Sequence, residues 1–287
     1  MTHTLTPSKA AYKLTHVLDT FADAHGSTRF PVDVAELALN AASLFGWKDS
    51  ITQVQAADIK NFEGALFSND DRSEWCLLYN NAIKSNGRIR FTQAHELGHY
   101  ILHRHQKDSF NCSEDDVVNR DAEETSIEAQ ADTFAATLLM PLNDFRDQVG
   151  TASDLESLGA CAERYGTSLT ATVLRWLKDT DQQAVLINHR DGYMRWAYSS
   201  KAAKKNGAFF RSRKQIIEIP ENSIAANESI TSDRSGTEVS ARVWFPHAPP
   251  HLSLREMKIT SGEYDTALTL LVLPRGSTAW PPFDGTE

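Results

Sequence analysis

Nowhere in the chain do 18 apolar residues follow one another. A membrane-spanning helix needs about that many, so none is expected. The opening stretch, MTHTLTPSKAAYKLTHVLDTFADAHG, lacks the apolar centre of a secretory signal. Cysteine is scarce: Cys76, Cys112 and Cys161 are too few, and odd in number, for a disulfide framework. They fit a reducing cytoplasm better. Positive charge is in deficit, with 29 Lys and Arg against 38 Asp and Glu, a net charge of −9. That argues against nucleic-acid binding over the whole surface and leaves room only for a local basic patch. Internal repeats and low-complexity tracts are also missing, which excludes solenoids and disordered linkers.

What remains is an ordinary globular composition, 41% hydrophobic and 23% charged over 287 residues, enough for one large or a few small domains. Three regions separate: 1–145, 146–180 and 181–287. In the first, AAYKLTHVLDTFADA and PVDVAELALNAASLF have helical spacing, and ALFSNDDRSEWCLLYNN reads as two strands around a polar turn. A helix follows from near Arg90, then a polar, acidic loop over 106–127, then a second helix, SIEAQADTFAATLLMP. The middle region carries two short helices joined at Tyr165-Gly166-Thr167-Ser168, a helix-turn-helix-like pattern. It fits either a packing unit or a DNA reader with Arg175 and Lys178 on its second helix. In the last region, AVLINHRDGYMRWAYS reads as a hairpin turning at Asp191-Gly192, RVWFP and DTALTLLVLP as strands, and SITSDRSGTEVS as a polar loop.

The chemistry concentrates in His95-Glu96-Leu97-Gly98-His99. Residues four apart lie on one helical face, so the two imidazoles can bind one zinc ion. Zinc brings the pKa of a bound water to about 7, and Glu96 is placed to act as general base. A third ligand is available on the next helix, where Glu128 is followed four residues later by Asp132. Glu128 can ligate while Asp132 accepts the free N–H of a ligand histidine. His103 and His105 are expected to be structural or surface residues, since helix rotation carries His103 away from a site centred on His95 and His99.

Arg90-Phe91-Thr92, then AHELGHYILH, then EAQADTFAATLLMP, together resemble the ImmA/IrrE family of zinc metallopeptidases over roughly residues 28–180. The resemblance implies an α+β protein with a compact thermolysin-like (gluzincin) peptidase core at 1–145 and a helical helix-turn-helix-like unit at 146–180. It further implies a C-terminal α/β GAF-like sensor domain at 181–287. It implies Zn2+ as cofactor, with His95, His99 and Glu128 as ligands and Glu96 as base. The implied substrate is a helix-turn-helix repressor. The layout also resembles the CapP regulators of CBASS anti-phage operons, whose partner is the CapH repressor.

Three further features are expected to regulate or serve the site. Cys112, in the loop after the zinc helix, offers a thiolate that could occupy the open position on zinc as an inhibitory ligand; the other reading is a thiol without a role. The strand Trp75–Tyr79 is either a core strand or an edge that receives an extended substrate. Arg195, Lys201, Lys204, Lys205, Arg211, Arg213 and Lys214 form a basic run interleaved with Trp196, Tyr198, Phe209 and Phe210. It suits single-stranded DNA as activator, or else it is a solvated basic loop with core aromatics. The leading function is a regulatory zinc endopeptidase. The alternative is a DNA-binding regulator with a structural or vestigial zinc site, which would have no need of Glu96.

Overall fold

The computed structural model describes residues 5–112, 127–151, 153–262 and 265–281, with the side chain of Cys112 left aside. Its architecture is α+β, with eight α-helices and two sheets among these residues. The chain divides into two compact units, Met1–Gln148 with Cys161–Ser168, and Val149–Ala160 with Leu169–Glu287.

In the first unit, α1 (Pro7–His25) and α2 (Val34–Phe45) start at side-chain caps, Thr6 and Asp33, and stop at the left-handed glycines Gly26 and Gly46. Strands β1 (Ser50–Ala57), β2 (Gly64–Ser68), β3 (Glu74–Asn80) and β4 (Ser109–Cys112) form a mixed sheet in the order β1-β3-β2-β4. β1 runs parallel to β3, and the other pairs are antiparallel. The expected loop over 106–127 is therefore wrong at Ser109–Cys112, which pairs with β2. Its remainder from residue 113 lies outside the described residues. β3 is flanked by β1 on one side and β2 on the other. Both its edges are hydrogen-bonded, so Trp75–Tyr79 cannot receive a substrate strand.

Helix α3 (Asn86–His103) begins at a Ser85 cap and crosses the sheet, burying Leu97, Tyr100 and Ile101. Helix α4 (Ile127–Leu139) lies against it and buries Ala131, Phe134, Ala135 and Leu138. α5 (Leu142–Val149) follows. α6 (Leu155–Tyr165) and α7 (Leu169–Asp179) occupy the helix-turn-helix-like segment, and α6 is divided between the two units. Every residue of α7 from Ala171 to Leu177 is buried, including Arg175, which pairs with Asp179 at 2.9 Å. A helix buried on all sides has the character of a packing element rather than a groove reader.

The second unit holds a five-stranded antiparallel sheet made of β5 (Gln183–Arg190), β6 (Tyr193–Ser199), β7 (Ser232–Ser240), β8 (Ser253–Ser261) and β9 (Thr266–Leu273), in the order β6-β5-β9-β8-β7. The β5–β6 turn sits at Asp191-Gly192, both with positive φ, as a two-residue hairpin requires. One face is covered by Ile219, Ala225, Trp244, Phe245 and Ala248, and by α8 (Lys201–Lys205) through Ala203. Two expectations are corrected. SITSDRSGTEVS is not a loop, because Ser232–Ser240 is the edge strand β7. Its alternation is broken between Asp233 and Thr237, where Gly236 takes a positive φ and Asp233 accepts bonds from Gly236 N–H and the Thr237 hydroxyl. RVWFP is not a strand either. Ala241–Val243 forms a short 3-10 helix that delivers Trp244 and Phe245 into the core.

The α3–α4 contact depends on Gly98. A Cβ there would stand 3.1 Å from Phe134 Cδ1 and 3.2 Å from Ala131 Cα. Gly98→Val should destabilise the protein by about 1–3 kcal/mol in urea unfolding and weaken metal binding, because the helices must move apart.

Candidate metal centre

Three ligand atoms converge where α3 faces α4. His95 Nε2 and His99 Nε2 are 3.0 Å apart, and Glu128 Oε2 lies 3.1 Å from the first and 3.2 Å from the second. Donors bound at roughly 2.0–2.1 Å to one tetrahedral ion stand about 3.3–3.4 Å from each other. The triangle is close to that size. His95, His99 and Glu128 are the group among the described residues whose ligand atoms could hold one metal ion.

Proton accounting favours a cation at the centre of this triangle. His95 Nδ1 lies 3.0 Å from Asp132 Oδ1. A carboxylate only accepts, so the His95 proton sits on Nδ1 and the Nε2 lone pair points at the triangle. A second imidazole nitrogen and a carboxylate oxygen point to the same place. Burial holds the His99 imidazolium pKa down to about 4, so this ring is neutral at physiological pH. Burial pushes the Glu128 carboxyl up, but the two imidazoles beside it, His95 and His99, outweigh this and hold the group below the usual carboxylate range. The donor set, two imidazoles and a carboxylate, suits zinc.

Glu96 is fully buried, and neither of its carboxylate oxygens has a hydrogen-bond partner among the described residues. Burial pushes its pKa to about 8; the attraction of His95 opposes this and the repulsion of Glu128 adds to it. An unpartnered buried carboxylate is costly in a fold and useful as a proton acceptor beside a metal. The space around it is set by β2. A Cβ at Gly64 would meet Glu96 Oε1 and Thr92 Cγ2, each at 2.6 Å. Only glycine lets that backbone pass.

The structure thus brings together His95, Glu96, His99, Glu128 and Asp132. Cys112 ends β4 opposite Gly64, but its side chain lies outside the described residues. Sequence reasoning missed Gly64, Phe110 and Gln130, while His103, expected to be a structural or surface residue, is structural and buried. Phe110 stacks on the His99 ring at 4.6 Å between centroids, and His103 is buried against the far edge of that ring. His103 reaches that edge from four residues after His99, one turn further along the same helix.

The basic run belongs to the second unit. All seven cations are exposed: Arg195 on β6, Lys201, Lys204 and Lys205 on α8, and Arg211, Arg213 and Lys214 in the loop beyond. Three of the aromatics among them are engaged within the unit. Phe210 packs on Trp244 and Phe245, Phe209 on Trp280, and Lys204 lies over the Tyr198 ring.

Residues 48–177 match the family model of the IrrE N-terminal-like domain, Peptidase_M78. That segment, which includes β1 to α4 and every residue of the metal centre, is therefore similar to a metallopeptidase domain of the ImmA/IrrE type. No curated protein matches the chain. No helix among the described residues is long and apolar enough to cross a membrane.

In metal-stripped protein, neutral Glu96 contributes stability that is fully present below its unfolded pKa, near 4.5, and is lost as pH rises through about 8. Glu96→Gln should remove that loss. The difference in unfolding midpoint between variant and wild type should grow in favour of the variant from pH 5 to pH 8.5.

Proposed function

We propose that this protein is a regulatory zinc endopeptidase that cuts a helix-turn-helix transcriptional repressor. The observation that carries the reading is the pairing of a three-donor site with a buried, unpartnered general base. A structural zinc site would close its fourth position with a protein ligand and would gain nothing from Glu96. The alternative, a DNA-binding regulator with a structural or vestigial zinc, leaves that carboxylate unexplained. The buried α7 also removes the helix it would use.

His95, His99 and Glu128 would hold the ion, with Asp132 orienting His95. The ion supplies Lewis acidity for hydrolysis when bound. Glu96 takes a proton from the attacking water and returns it to the leaving amine. An extended substrate segment would add to β4, the edge strand whose Phe110 touches His99. The domain around these residues takes the thermolysin-like role, and the antiparallel second unit that of a GAF-like sensor.

Regulation fits the same frame. Cys112 lies two residues along β4 from Phe110 and opposite the Gly64 that borders Glu96, a register position suited to an inhibitory zinc ligand. The exposed cations of the second unit suit the phosphates of single-stranded DNA as a stress signal. Charge rather than stacking on Phe209 or Phe210 would carry that contact, because those two rings are engaged within the unit. The CapP-like layout would place the enzyme in the cytoplasm of a cell guarding against phage.

The test is a cleavage assay against the helix-turn-helix repressor encoded beside this gene, with and without single-stranded DNA. Wild type should cut, and Glu96→Gln should lose at least about 100-fold in rate. Cutting by Glu96→Gln at the wild-type rate defeats the peptidase reading. Cys112→Ser should raise cutting in the absence of DNA. Reversal of Lys204, Lys205, Arg211 and Arg213 to glutamate should abolish DNA binding and leave DNA-independent cutting in place.

A further inference from the structure

His99 is held at three points, and only one of them is the triangle of ligand atoms. Its Nδ1, on the opposite side of the ring from Nε2, lies 3.1 Å from His103 Nδ1. His103 Nε2 in turn lies 3.4 Å from Gln130 Oε1 on α4. His103 is 1% exposed, so water does not compete for this contact. Phe110 presses on the ring face from β4, nearly parallel at 16°.

We propose that His103 and Gln130 form a positioning relay that fixes the tautomer and ring orientation of His99 for metal binding. The inference rests on the metal-site reading above. A ligating Nε2 carries no proton, so the His99 proton must sit on Nδ1. There it donates to His103 Nδ1, which must therefore be the acceptor nitrogen. The His103 proton then sits on Nε2 and donates to the Gln130 side-chain carbonyl. One proton arrangement satisfies every link, and the chain ends on an atom that only accepts.

His103 is not a fourth ligand, because it meets the edge of His99 remote from Glu128. Its role parallels that of Asp132, which holds His95 Nδ1 at 3.0 Å. The two ligand imidazoles are oriented by different chemistries: a carboxylate for His95, and a neutral imidazole backed by an amide for His99. Such partners typically contribute 10–100-fold in metal affinity. α4 supplies Glu128 for the metal, Asp132 behind one histidine and Gln130 at the end of the relay behind the other. α3 supplies His103 from the turn after His99.

The experiment measures zinc affinity by chelator competition, the visible spectrum of the cobalt-loaded protein, and urea unfolding of the metal-free protein. His103→Leu fills the space but accepts no proton. His103→Asn leaves a smaller side chain that still offers an oxygen near the position of Nδ1. The relay predicts zinc binding about 10–100-fold weaker and an altered cobalt spectrum for His103→Leu. His103→Asn should stay close to wild type in affinity even where it is the less stable variant.

A role in packing alone predicts the reverse order, with affinity following stability. Wild-type affinity in His103→Leu, or weaker binding in the asparagine variant than in the leucine one, overturns the proposal. Gln130→Leu with unchanged affinity removes Gln130 from the relay. Failure of the wild type to bind zinc, or binding unaffected by His95→Ala, overturns the metal site itself and the relay with it.

Discussion

The approach of two helices at Gly98 is the constraint on which the rest of the first unit depends. Glu128 reaches His95 and His99 only because α4 lies close enough to α3 for a methyl group at Gly98 to crowd Ala131 and Phe134. The apolar residues on α4 that make this contact, Ala131, Phe134, Ala135 and Leu138, are fully buried. They interleave with the polar ones that face the metal centre. Helical periodicity does both jobs: Glu128 and Asp132 are four apart and share a face, while Ala131 and Ala135 share another. A hydrophobic contact of ordinary strength thereby sets distances of about an ångström's tolerance between charged and polar groups.

Those groups are expensive to bury. His95, Glu96, His99 and His103 are all nearly inaccessible, and Asp132 is close to it. Without a cation, two nitrogen lone pairs and a carboxylate oxygen repel one another, and Glu96 loses its hydration without gaining a partner among the described residues. A divalent ion reverses the sign of each of these interactions. A metal ion held here would make fold stability and metal binding one quantity, as expected when a preformed site exists only in the folded chain. The residues around it divide the work of orientation, with Asp132 at one imidazole edge, His103 at another and Phe110 on a ring face.

Most of the metal centre was legible in the sequence, because a helix converts spacing directly into geometry. His95 and His99, and then Glu128 and Asp132, are pairs four apart, and each pair needs only its own helix to form. What escaped notice depends on contacts between elements. Gly64 matters because a strand passes over Glu96, Phe110 because an unforeseen strand delivers it to His99, and Gln130 because the relay ends on α4. His103 is the structural residue its position implied, buried and outside the ligand group. It rotates away from the three ligand atoms, and that rotation takes it behind His99. The fold shows the same division. The capped helices and the Asp191-Gly192 hairpin follow from local chemistry, whereas β7 hides its period behind a break at Gly236, and β4 is four residues inside an acidic stretch.

The second unit poses a different balance. Its sheet buries Glu256 and Lys258 on the same face as the apolar cluster. Glu256 accepts hydrogen bonds from Trp244 Nε1 at 2.8 Å and Ala225 N–H at 2.7 Å, and Lys258 donates to the Asn227 carbonyl at 2.8 Å. These bonds pin the 220–230 segment and the indole to the sheet with directional contacts rather than apolar area alone. The exposed basic run begins on the opposite edge of that sheet, on β6 and the short helix after it. Phe210, within the run, packs against the same core that Glu256 and Trp244 organise. A ligand drawn to the cations would therefore meet side chains whose backbone is tied to that core through Phe210. The charged surface is thus fastened to a packed interior through Phe210 rather than by open aromatic faces.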